Sequence, residues 1–172
     1  MLTKKMESAL NNQIEMEAYA SFLYLAMASW CEQQGLEGTS NFFYRQAAEE
    51  HDHMMRIFKY ILEMDGKAVV PSIDKPPHEF ESVQALFADV YTHEQKVTGA
   101  INQLVELSAN ENDHSTHNFL QWYVMEQREE EALMRTILDK LKLIGTGPQS
   151  LYFIDKEITD INSQAASQGE EA

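Results

Sequence analysis

The stretch Glu49-Glu50-His51-Asp52-His53 decides how the rest of this sequence reads. It lies inside a long helical pattern from about Thr39 to Met64, whose apolar face carries Phe43, Ala47, Met54, Ile57, Ile61 and Met64. Glu50 and His53 fall on that same face, because residues three apart project together from a helix. Burying a carboxylate without a partner is too costly to be casual. An inward Glu-x-x-His pair is what a helical bundle uses to grip a metal ion. The same pair also arises by chance on single helices, so the other inward faces decide its meaning.

Working outward, Pro and Gly punctuate four long periodic segments and one short one. The first helix is predicted from about Thr3 to Glu32, capped by Thr3 and ended by Gly35 and Gly38, with an inward stripe of Leu10, Gln13, Ile14, Glu17, Ala20, Tyr24 and Met27. The second takes Thr39 or Ser40 as its N-cap and ends near Asp65-Gly66. Residues 67 to 81 form a long connection containing Pro71, Pro76 and Pro77. A second helix of about 26 residues is roughly 39 Å long. About fifteen extended residues reach roughly 50 Å. The connection can therefore return along the whole bundle and set helices two and three parallel, the arrangement with one long crossover.

The third helix runs from Ser82 to about Ala109 with Val83, Phe87, Val90, Glu94, Val97, Ile101 and Leu104 on one face. A short turn, Asn110-Glu111-Asn112-Asp113, makes the fourth helix antiparallel to it. That helix spans about Asp113 to Ile144 and turns Leu120, Tyr123, Gln127, Glu130, Met134, Ile137 and Leu141 inward. After Gly145-Thr146-Gly147-Pro148, a short fifth helix from about Ser150 to Ile161 is too brief to stand alone and must pack on the bundle or on another chain. The polar segment Ser163 to Ala172 reads as a disordered tail, so the expected organisation is one domain over residues 1–162 followed by that tail. The fold class is all-α.

Each long helix thus carries one acid in its apolar stripe near mid-length: Glu17, Glu50, Glu94 and Glu130. In an antiparallel bundle these positions meet at one height. No Lys or Arg occupies the central stripes, since Arg45, Arg56, Lys96 and Arg128 all fall off them, so a buried salt-bridge network is a poor explanation. Two divalent ions would balance four carboxylates. A donor set of oxygens with one imidazole suits iron(II) or manganese better than copper. Glu49, Glu126 and Glu129 flank the stripes; each alone reads as a solvated helix edge, and together they read as a further cation site.

The totals agree. A net charge of −15 disfavours nucleic acid and anionic membranes as partners and favours cations. The single cysteine, Cys31, excludes an intrachain disulfide and any cysteine-based metal cluster. Met1-Leu2-Thr3-Lys4-Lys5 leads straight into an amphipathic helix, and no apolar run is long enough for a membrane span, so the expected location is the cytoplasm.

Glu17 with Tyr24, Glu49-Glu50-x-x-His53, Glu94 and Glu126-Gln127-x-x-Glu130 together make the chain resemble a bacterial non-haem ferritin over nearly its whole length. That resemblance implies a ferritin-like four-helix bundle with one crossover and a fifth helix, assembled as a hollow homo-oligomer of 24 chains. It implies a ferroxidase centre that oxidises iron(II) with dioxygen or hydrogen peroxide and deposits hydrous ferric oxide inside the shell. By the resemblance, Glu17, Glu50 and His53 hold a first iron. Glu50 as a bridge, with Glu94 and Glu130, holds a second, and Gln127 stands beside them. Glu49, Glu126, Glu129 and Glu130 match a third iron site, and Tyr24 is a hydrogen-bond or electron donor. No second Glu-x-x-His follows Glu94 or Glu126, which separates the chain from bacterioferritins, and no haem is expected. Two other readings stay open on the residues alone: a discrete di-iron oxidase acting on an organic substrate, and a metal-buffering shell without oxidation.

Overall fold

The computed structural model describes residues 2–169, with the side chains of 166–169 outside the described set. Five helices follow one another: α1 (Lys4–Gln33), α2 (Glu37–Glu63), α3 (Val83–Asn110), α4 (His114–Ile144) and α5 (Ser150–Gly169). Among the described residues there is no strand, so the expected all-α class holds. Three helix starts are capped from within: Thr3 accepts from the Met6 amide at 3.1 Å, Ser82 from Ala85 at 3.1 Å, and Asp113 from Thr116 at 3.0 Å.

The long connection does what its length allowed. At one end Asn11 of α1 donates to the Lys67 carbonyl at 2.9 Å and accepts from the Val69 amide at 2.7 Å. At the other end Phe80 meets Trp30 edge-on, 5.8 Å between ring centroids. The segment therefore travels along most of α1. Thr3, at the start of α1, bonds Glu111, at the end of α3, so α1 and α3 are antiparallel. A short turn folds α2 back on α1, which leaves α2 parallel to α3. Tyr60, late in α2, shares a 2.9 Å hydrogen bond with Thr116, early in α4, so that pair is antiparallel too.

Two apolar clusters fill the bundle. One joins Tyr24, Met27, Phe42, Phe43, Phe87, Val90, Met134 and Ile137 with Ile154 and Ile158 of α5. The other joins Leu10, Ile14, Ile57, Ile61, Val97, Ile101, Leu104, Leu120 and Tyr123. Each long helix passes from one cluster to the other at its acid: Ile14–Glu17–Ala20, Ala47–Glu50–Ile57, Val90–Glu94–Val97 and Tyr123–Glu130–Met134. A polar belt is therefore clamped between two apolar halves. Each large side chain buried in those halves contributes about 1.5–3 kcal/mol, and together they hold the costly belt in place.

Two boundaries depart from expectation. α2 begins at Glu37, ahead of the predicted Thr39 or Ser40, and its N-cap residue Leu36 offers no side-chain cap. The cap comes from α5: Asp155 accepts from the Gly38 amide at 3.0 Å, the Thr39 amide at 2.7 Å and the Thr39 hydroxyl at 2.8 Å. Gly38 is therefore inside a helix rather than in a helix-ending turn. A Cβ there would lie 1.9 Å from the Thr159 hydroxyl and 2.6 Å from the Asp155 carbonyl, so only glycine lets α5 approach this closely. The second departure is α5 itself, which continues past the predicted end at Ile161 to Gly169. The beginning of the segment read as a tail is helical, and residues 170–172 lie outside the described residues.

Candidate metal centre

The belt residues come from four helices and meet at one level. Glu17, Glu50, Glu94 and Glu130 are at most 5% exposed and His53 is 7% exposed, so all five carry the full cost of leaving water. Glu17, Glu50 and His53 each offer a ligand atom within 4.8 Å of the others, and they are the only such group of three among the described residues. His53 Nδ1 stands 3.4 Å from Glu50 Oε2 and 3.8 Å from Glu17 Oε2. Neither His53 Nδ1 nor Glu17 Oε2 has a hydrogen-bond partner, although both are buried. Two unpartnered ligand atoms 3.8 Å apart fit a cation held between them. Carboxylate oxygens plus one imidazole nitrogen fit a divalent first-row ion.

Glu94 and Glu130 close the other side. Tyr24 donates its hydroxyl to Glu94 Oε1, and Gln127 donates to Glu94 Oε2 at 3.1 Å and reaches the Glu94 carbonyl at 3.3 Å. Glu130 Oε2 accepts from Gln46 at 3.1 Å. Glu17 Oε1 accepts from Gln13, one turn earlier on the same helix. All three amide donors are neutral. They stabilise carboxylates without supplying the positive charge the belt lacks.

The electrostatics follow. Burial pushes the Glu17 carboxyl well above the usual range, and the neighbouring Glu50 charge pushes the same way. Burial is also the main cause at Glu50, where contact with Glu17 works against it and the Glu94, Glu130 and Glu49 charges add to it. Glu94 is raised by burial, against the hydrogen bonds from Tyr24 and Gln127. Glu130 is raised to about 8, by burial first and then by Glu94 and Glu49. Tyr24 is held well above a free phenol by burial and the Glu94 charge. A cation held among these carboxylates would oppose each of these shifts.

The flanking acids are placed differently. Glu126 is partly exposed and approaches His53 Nε2 at 4.0 Å. Glu49 feels the Glu126 charge and pairs with Arg45 at 2.7 Å. Glu129 is exposed on α4, and Glu49, Glu126 and Glu129 do not converge to metal-binding distance in this conformation. His53 lies against Trp122 and Tyr123, each 5.5 Å away by ring centroids, and those two rings stack at 4.4 Å.

Helical periodicity alone does not single out Gln46, and it places Gln13 only in the inward stripe of α1. Each is an uncharged polar residue one turn before an inward acid, Gln13 before Glu17 and Gln46 before Glu50. That spacing was the available signal, though it does not reveal that Gln46 reaches across to Glu130.

A helical bundle with a crossover, a docked fifth helix and a buried carboxylate–histidine belt is the arrangement in which four-helix proteins of the ferritin-like class hold metal ions. Residues 7–144 match the Ferritin family, described as a ferritin-like domain. The chain is 44% identical over 165 residues to a probable bacterial non-heme ferritin-like protein of Haemophilus influenzae, covering 96% of this chain and 100% of that one. It is 45% identical over 161 residues to the bacterial non-heme ferritin of Campylobacter jejuni, covering 94% and 96%. Its backbone superposes with a TM-score of 0.90 on an open pore ferritin from Archaeoglobus fulgidus, at 45% identity, covering 92% and 98% of the two chains. The chain belongs to the ferritin family.

Proposed function

We propose that the chain stores iron by oxidising iron(II) at a di-iron ferroxidase centre and depositing hydrous ferric oxide inside a hollow shell of 24 copies. The observation that carries this is the pair of unpartnered buried atoms, Glu17 Oε2 and His53 Nδ1, facing Glu50. In this reading Glu17, Glu50 and His53 take one iron(II). Glu50 is shared with a second, which Glu94 and Glu130 complete. Each iron(II) gives one electron to dioxygen, which is thereby reduced to the level of peroxide; hydrogen peroxide is an alternative oxidant. The carboxylates stabilise the charge that rises from iron(II) to iron(III). Tyr24 and Gln127 orient Glu94, and the Tyr24 phenol is placed to supply a further electron. Glu49, Glu126 and Glu129, with Glu130, form a third cation site on the way inward once side chains turn toward an ion.

The names of the bacterial relatives support iron as cargo and the absence of haem. No described helix is long and apolar enough to cross a membrane, and the net charge of −15 is unsuited to nucleic acid; both fit a cytoplasmic shell. The test is iron retained per chain after aerobic loading with iron(II) and gel filtration. Storage requires many ions per chain in a large assembly. A plateau at about two or three per chain, the capacity of the sites alone, would sink storage and leave a di-iron oxidase.

A further inference from the structure

Three of the four belt carboxylates are met by a glutamine amide, and each amide takes one oxygen only. Gln127 holds Oε2 of Glu94 and Gln46 holds Oε2 of Glu130, both at 3.1 Å, while Gln13 holds Oε1 of Glu17. Among the described residues no glutamine bonds Glu50. Gln13 and Gln46 are themselves at most 2% exposed, so neither is a solvated side chain that happens to touch an acid. We propose that Gln13 and Gln46 are positioning residues for two different metals: Gln13 fixes Glu17 for the ion shared with His53, and Gln46 fixes Glu130 for the other ion. The inference rests on the di-metal reading above.

The chemistry favours an amide over any other donor. A carboxylate with one oxygen tied presents the other in a fixed direction, and Glu17 Oε2 is left facing His53 Nδ1 at 3.8 Å. A lysine or arginine in the same place would also tie the oxygen, but its charge would compete with the metal. An amide orients without neutralising. Glu50, which no amide holds, meets only Glu17 and His53 and is not tied to an outer donor. Such outer hydrogen bonds are worth about 10- to 100-fold in metal affinity.

The full-length apoprotein, titrated anaerobically with cobalt(II) and followed by calorimetry and visible absorption, separates the two roles. Gln13→Met and Gln46→Met keep side-chain length and remove the donor. Gln13→Met is expected to weaken one cobalt site by about tenfold and to alter that ion's absorption band, leaving the second site within about twofold of wild type. Gln46→Met is expected to do the reverse. Gln13→Asn keeps an amide one methylene too short and should reproduce the Gln13→Met loss, so the test survives if the methionine variant does not fold. Both sites unchanged in the two variants, or both weakened equally, would overturn the proposal while leaving the di-metal reading intact. Fewer than two cobalt ions per wild-type chain would overturn both.

Discussion

Two groups of carboxylate lie within this fold, and they are treated in opposite ways. Asp155 of α5 meets three donors at the start of α2, two backbone amides and a hydroxyl, at 2.7 to 3.0 Å. Its charge also faces the positive end of a helix. The belt of Glu17, Glu50, Glu94 and Glu130 is deeper, is met only by neutral side chains, and repels itself. The first carboxylate is complete as it stands and serves the fold. The second set is held where it is uncomfortable by the apolar clusters on either side, and in the proposed function a cation relieves that discomfort. A buried acid thus signals function when its donors fall short of its charge, not simply when it is buried.

The sharpest way to break this contrast is Glu50→Gln. If the belt exists for metal, the variant should lose fast iron(II) oxidation by more than about a hundredfold, measured by stopped-flow absorbance. Its apoprotein should nevertheless melt at least as high as wild type at pH 8, because a neutral amide replaces a carboxyl whose charged form is disfavoured by burial and by its neighbours. A variant that oxidises iron at the wild-type rate would show that the belt is not the reacting site.

The second prediction concerns pH. Burial raises the carboxyls of Glu17, Glu50 and Glu94, and holds Glu130 at about 8 against an ordinary value of 4.5. A carboxyl raised on folding binds its proton more tightly in the folded chain. Its stabilising contribution is complete below the unfolded value and is lost as pH climbs through the folded one. For Glu130 that window runs from about 4.5 to about 8. The apoprotein should lose several degrees of melting temperature across this range, and the protein saturated with a divalent ion should lose much less. The overall charge of −15 adds a background slope with and without metal alike, so the difference between those two slopes isolates the belt. Equal slopes with and without metal would contradict the reading.

What the sequence disclosed and what it hid divide along the same line. The belt was legible because helical periodicity is local: the stripes containing Glu17, Glu50, Glu94 and Glu130 are buried as their spacing required, and the crossover's length allowed its path. The Asp155 cap was not legible. It joins residues 116 and 117 positions apart, and nothing near Leu36 announces that α2 will borrow a cap from α5. The ordinary rule for helix starts therefore pointed to Thr39 or Ser40. Gly38 read as a turn residue for the same reason; its role depends on Thr159, far along the chain. Gln46 lay between these cases, visible as a polar residue beside an inward acid but silent about its partner on α4.

A third prediction tests the fold side of the comparison. Gly38→Ala places a methyl 1.9 Å from the Thr159 hydroxyl and against the Asp155 backbone. Thr159 can rotate away, but the backbone carbonyl at 2.6 Å cannot yield without moving α5. The cost should be about 1–3 kcal/mol in chemical denaturation. Affinity for cobalt(II) should stay within about twofold of wild type, since the ligand-bearing stretches of all four long helices are unchanged.

The smallest effect is expected where a carboxylate is best satisfied. Asp155→Asn keeps an oxygen able to accept from one amide at the start of α2, and removes the charge that faces the helix end. The predicted loss is about 0.5–1 kcal/mol, against about 1–2 kcal/mol for Asp155→Ala, which also strands the Gly38 and Thr39 amides. Both variants should lower stability at every pH between 6 and 8, whereas Glu50→Gln should not lower it at pH 8. The sign of that difference matters more than its size. A buried acid that belongs to the fold weakens it when neutralised, and one held there for a cation relaxes it. If Asp155→Asn and Glu50→Gln shifted apoprotein stability in the same direction, donor count would not distinguish the two kinds of carboxylate, and the belt would have to be treated as part of the fold.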